Sequence, residues 1–238
     1  MSDRNLQSFP DKAALSRGAC QRLVTLAKEC IDQNGVFQIS LSGGSTPQQL
    51  YQLLAETDLP WDRIRWFWGD DRCVPHDHAD SNYRMVREAL LDRIDADPAT
   101  VFPVPVDTED PAAAAAQYEE TLRQAFAGQD YPQWDLALQG MGDDAHTASL
   151  FPETKAIDEQ QRWFVENWVP KFDTHRFTLT ANAINSARNI WFLISGDNKR
   201  DALQSVWNGP QQPAKYPSQL VRPDHPGLLW WVTEDALP

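Results

Sequence analysis

His146 stands in the segment Gly140-Met141-Gly142-Asp143-Asp144-Ala145-His146-Thr147-Ala148-Ser149-Leu150-Phe151-Pro152, two residues after the carboxylate of Asp144. Imidazole takes and returns a proton near neutral pH more readily than other side chains, so a histidine beside a carboxylate is a candidate general acid–base. A lone histidine is usually structural. A glycine-rich loop leaving the apolar run Leu136–Gln139 shifts this one towards chemistry. A second group, Trp68-Gly69-Asp70-Asp71-Arg72-Cys73-Val74-Pro75, sets two carboxylates and a guanidinium side by side after an apolar segment. Its plain alternative is a solvated loop with a surface ion pair. His76-Asp77-His78 lacks the further ligands a metal site needs, so no metal is expected.

Ser42-Gly43-Gly44-Ser45-Thr46-Pro47 is a candidate anion cradle. Its glycines let the backbone fold closely around a ligand, and a helix starting here would aim free N–H groups at it. An ordinary strand-to-helix turn, capped by Ser or Thr, would read the same way. The segment is neither a P-loop nor a dinucleotide fingerprint. Two cations recur in similar settings: Lys199 follows Gly196-Asp197-Asn198 after an apolar run, and Arg176 begins another run. Together with the 42–46 loop they would neutralise a phosphate, which carries roughly −1.5 to −2 charge.

Apolar residues at helical spacing over 11–33, ending at Asn34-Gly35, predict an opening helix. Strands follow at Val36–Leu41, Arg65–Trp68, Val101–Val104, Leu136–Gln139, Trp163–Val169, Arg176–Thr180, Ile190–Ser195 and Leu228–Val232. Helices between them fall at Gln48–Ala55, Ser81–Ile94, Pro111–Phe126, Ala181–Ala187 and Lys199–Trp207. This alternation predicts an α/β fold, a mostly parallel sheet flanked by helices on both faces, doubly wound and Rossmann-like. In such sheets ligands bind beyond the carboxyl ends of the strands, where the 42–47, 69–75, 140–152 and 196–199 segments lie. The ten tryptophans, among them Trp66, Trp68, Trp230 and Trp231, are assigned to sheet packing. The proline-rich stretches 98–111 and 209–226 read as connections, and residues 1–238 as one domain.

The 238 residues carry 34 acidic and 21 basic side chains, net −13, a field that repels nucleic acid and anionic lipid. A small anion is still admissible where backbone N–H groups and a few cations reverse the potential locally. Cys20, Cys30 and Cys73 form no CxxC pair and are odd in number, which points to a reducing compartment. Residues 1–10 lack the apolar run of a signal peptide, and no stretch reaches the ~18 apolar residues of a membrane span. A soluble cytoplasmic monomer is expected.

Taken in order, the 42–47 loop, Gly69–Pro75, Ser81-Asn82-Tyr83, Gly140–Pro152, Arg176–Thr180 and Gly196 with Lys199 resemble the 6-phosphogluconolactonase family over about residues 36–232. The 140–152 block is the most specific; the 42–46 loop and the Gly…Lys pair are shared with glucosamine-6-phosphate deaminases. The resemblance implies hydrolysis of 6-phospho-D-glucono-1,5-lactone to 6-phosphogluconate in the oxidative pentose phosphate pathway, without metal or organic cofactor. It implies His146 as general base, with Asp144 nearby, Asp70 and Arg72 as the active-site loop, and Ser42, Gly43, Gly44, Ser45, Thr46, Arg176 and Lys199 as phosphate contacts. Two residues depart from the pattern. Asp71 replaces the usual Glu, and Ala145 replaces the usual Gly, at a cost of about 1 kcal/mol if the backbone there has positive φ. The alternatives are a sugar-phosphate isomerase or deaminase with Asp70 as base, disfavoured by the 140–152 block, and a non-catalytic sugar-phosphate sensor, which should lack the acid–base residues.

Overall fold

Local chemistry sets the element boundaries in the computed structural model, which describes residues 4–106 and 109–238. Residues 1–3 of the N-terminal segment and 107–108 of the 98–111 connection lie outside the described residues. Asp11 accepts from the Ala14 N–H to cap α1 (Lys12–Asn34), and Gly35, at φ 79°, closes it. The remaining helices are α2 (Ser45–Leu54), α3 (Asn82–Ala89), α4 (Pro111–Ala125), α5 (Ala181–Asn185) and α6 (Arg200–Asn208).

The strands are β1 (Leu6–Phe9), β2 (Phe37–Leu41), β3 (Ile64–Trp68), β4 (Asp70–Arg72), β5 (Val101–Phe102), β6 (Leu136–Gln139), β7 (Phe164–Val169), β8 (Thr174–Leu179), β9 (Ile190–Ile194) and β10 (Leu228–Thr233). Seven form one wholly parallel sheet in the order β1-β10-β9-β6-β2-β3-β5. All five residues of β9 are buried, as a central strand covered on both faces requires. The expected α/β architecture is therefore the observed one. From β2 the chain steps outward to β3 and β5, then returns past β2 to β6. Loops leaving β2 and β6 diverge at this reversal and open a crevice over the carboxyl ends of the strands.

Several details differ from expectation. β4, read as loop, pairs antiparallel with β8, and β7-β8 completes a second, three-stranded sheet in the order β4-β8-β7. The third helix stops at Ala89 because Leu90, at φ −136°, turns the chain, and Leu90 and Leu91 both become buried. β5 ends before Pro103, which has no N–H for the ladder. α2 starts three residues early, so Ser45 and Thr46 belong to its first turn. Trp66, Trp68, Trp134, Trp163, Trp191, Trp230 and Trp231 are buried, whereas Trp168 is exposed.

Candidate active site

Each wall of the crevice begins where a parallel strand ends. After β2, the Tyr51 hydroxyl of α2 donates to the Ser42 carbonyl (2.9 Å) and accepts from the Ser42 N–H (3.0 Å), fixing the start of the 42–46 loop. Gly44 precedes α2 at φ 102°, a conformation that disfavours any side chain, and supplies no side-chain cap. The first-turn N–H groups of α2 are thus left for a ligand, and they lie at the positive end of the helix dipole. A Cβ on Gly43 would sit 2.0 Å from Asn82 Oδ1, so only glycine permits the close approach of the loop to α3. Thr46 and Ser195 share a hydroxyl hydrogen bond of 2.7 Å, tying this loop to the end of β9. Lys199 follows from the same end.

After β6, Asp144 Oδ1 lies 2.5 Å from His146 Nδ1 and also accepts from the His146 N–H at 3.2 Å. Lys171 Nζ reaches the other oxygen, Oδ2, at 2.8 Å. Burial works against ionisation of Asp144, but the bonds from His146 and Lys171 outweigh it and hold the carboxyl well below the usual range. An ionised carboxylate only accepts, so Nδ1 carries the hydrogen and Nε2 keeps the free lone pair. Phe151 stacks on the imidazole, with centroids 4.0 Å apart.

The turn that presents His146 is tight. Ala145 adopts φ 62°, and both the N–H and the hydroxyl of Ser218 donate to its carbonyl, at 2.9 and 2.8 Å. The positive φ that the alanine departure put at issue is therefore present.

After β3, a buried tyrosine again closes the strand: Tyr118 Oη accepts from the Trp68 N–H and donates to its carbonyl. β4 then carries Asp70, whose carboxylate accepts from Ser149 Oγ at 2.9 Å, and Arg72, which donates to the Asp80 carbonyl. Asn82 Nδ2 donates to the Asp70 carbonyl at 3.0 Å. Asp71 points the other way and is wholly buried. Its Oδ1 accepts from the Arg72 and Asn82 amides and its Oδ2 from the Tyr83 amide, so it fastens β4 to α3.

These walls enclose a cavity of about 250 Å³ lined by the whole 42–46 loop, Asp70, Arg72, Asn82, His146 and Lys199. Asp144 lies behind His146 and does not line it. Arg176 does not line it either. It pairs with Arg72 across β4 and β8, its guanidinium lies over Phe172 at 5.3 Å, and burial and the Arg72 charge lower its pKa. Sequence reasoning missed Ser195, Ser218 and Lys171, whose partners are distant along the chain, and Tyr51, whose reach back to Ser42 depends on the turn of α2; Ser149 was visible only as part of the 140–152 segment. Asn82 was visible only within the quoted Ser81-Asn82-Tyr83 motif. Among the described residues no three His, Cys, Asp or Glu side chains group to hold a metal ion, and no helix is long and apolar enough to cross a membrane.

The family described as glucosamine-6-phosphate isomerases/6-phosphogluconolactonase matches residues 10–231. A 6-phosphogluconolactonase from Nostoc sp. is 41% identical over 98% of this chain and 96% of its own length. One from Synechocystis sp. is 39% identical over 95% and 94%. Among solved structures, the 6-phosphogluconolactonase from Trypanosoma cruzi superposes with a TM-score of 0.88 at 30% identity, covering 98% of this chain and 96% of that one. The chain belongs to this glucosamine-6-phosphate isomerase/6-phosphogluconolactonase family. The matched residues 10–231 include β4, β7 and β8, so the small antiparallel sheet falls within the shared fold.

Proposed function

We propose that this protein is a 6-phosphogluconolactonase, which hydrolyses 6-phospho-D-glucono-1,5-lactone to 6-phosphogluconate. The observation that carries the reading is the Asp144–His146 pair on one wall of a cavity whose other walls offer a helix N-terminus and Lys199. Its full-length relatives bearing that name support it.

Lactone hydrolysis requires a water to attack the carbonyl carbon, stabilisation of the oxyanion, and a proton for the departing ring oxygen. His146 Nε2 takes the proton from the water while Asp144 stabilises the imidazolium through Nδ1–H, and the same proton then passes to the ring oxygen. Arg72 supplies positive charge for the oxyanion. The 42–46 amides and Lys199 hold the phosphate, with Arg176 adding charge from the neighbouring strand. The reactive end is thereby oriented by binding energy gathered away from it.

His146→Ala tests this directly. It should lose roughly 10²–10⁴ in kcat, with KM little changed, in an assay corrected for spontaneous hydrolysis. A folded variant with kcat within about threefold of the parent would move the base to Asp70.

A further inference from the structure

We propose that Lys171 is a positioning residue for the proton-transferring pair, acting through Asp144; this rests on the reading of His146 as base. Lys171 belongs to the turn Pro170–Phe172 that joins β7 to β8. That turn meets the 140–152 loop in two ways. Lys171 Nζ binds Asp144 Oδ2 at 2.8 Å, with Asp143 at 3.6 Å, while Asp144 Oδ1 holds the imidazole. Phe172 packs edge-on against Phe151 (5.6 Å, 82°), and Phe151 is the ring on which His146 stacks. The imidazole is thus braced on its nitrogen side and on its face by one hairpin tip.

A carboxylate bonded through one oxygen can rotate about its Cβ–Cγ bond. Bonded through both, Asp144 has one orientation, and Nδ1–H is aimed with it. The cation has a second effect, because its charge offsets part of the negative charge that Asp144 presents to the imidazolium. The other charged groups around His146 are Asp143 and Asp144 on its own loop, Asp70 and Arg72 on β4, and Lys199 after β9; Arg176 on β8 lies over Phe172. Only Lys171 among these cations bonds Asp144. The Lys171 side chain is 50% exposed, so the pair adds little to overall stability, and its removal should leave the fold intact.

Lys171→Met and Lys171→Gln, compared with the parent and with His146→Ala on the phosphorylated lactone, test the proposal. Expected is a fall in kcat of about tenfold with KM within about twofold, because orientation of the base is lost and the phosphate grip is not. The acid limb of the kcat profile should move to higher pH, since the carboxylate then holds the imidazolium more firmly, and Lys171→Arg should restore most of the rate. Parent activity and an inactive His146→Ala, with kcat and the acid limb unchanged in both neutral variants, would overturn the role of Lys171 and leave the functional reading standing. Equal loss in the Arg variant would also overturn it. A parent no faster than the blank overturns both.

Discussion

The distance between Gly142 and His146 leaves no space for a methyl group. A Cβ added to Gly142 would fall 2.0 Å from His146 Nδ1 and 2.7 Å from Asp144 Oδ1, overlapping both partners of the bond between them. Gly142→Ala should therefore push the imidazole aside and lower kcat by about a hundredfold, the order expected for a misplacement near 1 Å, while the remote phosphate contacts keep KM within a fewfold. Steady-state kinetics on the phosphorylated lactone check this; a kcat near that of the parent would mean that the pair does not carry the proton. At Ala145 the backbone holds the opposite kind of tension. A non-glycine residue at φ 62° costs about 1–2 kcal/mol. The two Ser218 bonds to its carbonyl show how the surroundings keep it there.

At the scale of elements, the proposed phosphate grip is divided between the start of α2 and the segment leading into α6. Lys199→Ala removes one charge-assisted contact, worth about 1.5–3 kcal/mol, so KM for the phosphorylated lactone should rise roughly 10- to 100-fold. Hydrolysis of unphosphorylated gluconolactone should hardly change; equal losses on the two substrates would take Lys199 out of the phosphate site. Both elements were legible in the sequence, because a β-rich run, a glycine turn and helical periodicity occur together at each. β1 was not. Its Leu-Gln-Ser-Phe is mostly exposed at a sheet edge, and its pairing with β10 supplies the order its own pattern lacks. β4 escaped for a related reason: Asp-Asp-Arg has no strand propensity, and β8 imposes the extended form. The loops of the site could be read because each follows an apolar strand. Lys171 could not, since only the folded hairpin carries it to Asp144.

For the molecule as a whole, Asp71 links folding to pH. Burial pushes its carboxyl from 3.8 up to about 6, although the Asn82, Arg72 and Tyr83 amides act in the opposite direction. Between about pH 3.8 and 6 the folded state therefore holds a proton that the unfolded chain has released. The resulting stabilisation is full below about 3.8 and is lost as pH rises through about 6, on the order of 3 kcal/mol. Urea unfolding of the parent and of Asp71→Asn at intervals between about pH 4 and 6.5 should show the parent losing stability relative to the variant. Parallel curves would sink the assignment.

The seven-stranded sheet also has a history during synthesis. β2 and β3 can pair soon after both emerge, but Leu6 of β1 lies beside Trp230 of β10, at the far end of the chain. At about 5–20 residues per second, the first strand made waits on the order of ten to fifty seconds for its neighbour. During synthesis β1 therefore stays unpaired until β10 has been made and laid beside β9, so the segment that comes first among the strands is among the last to join the sheet.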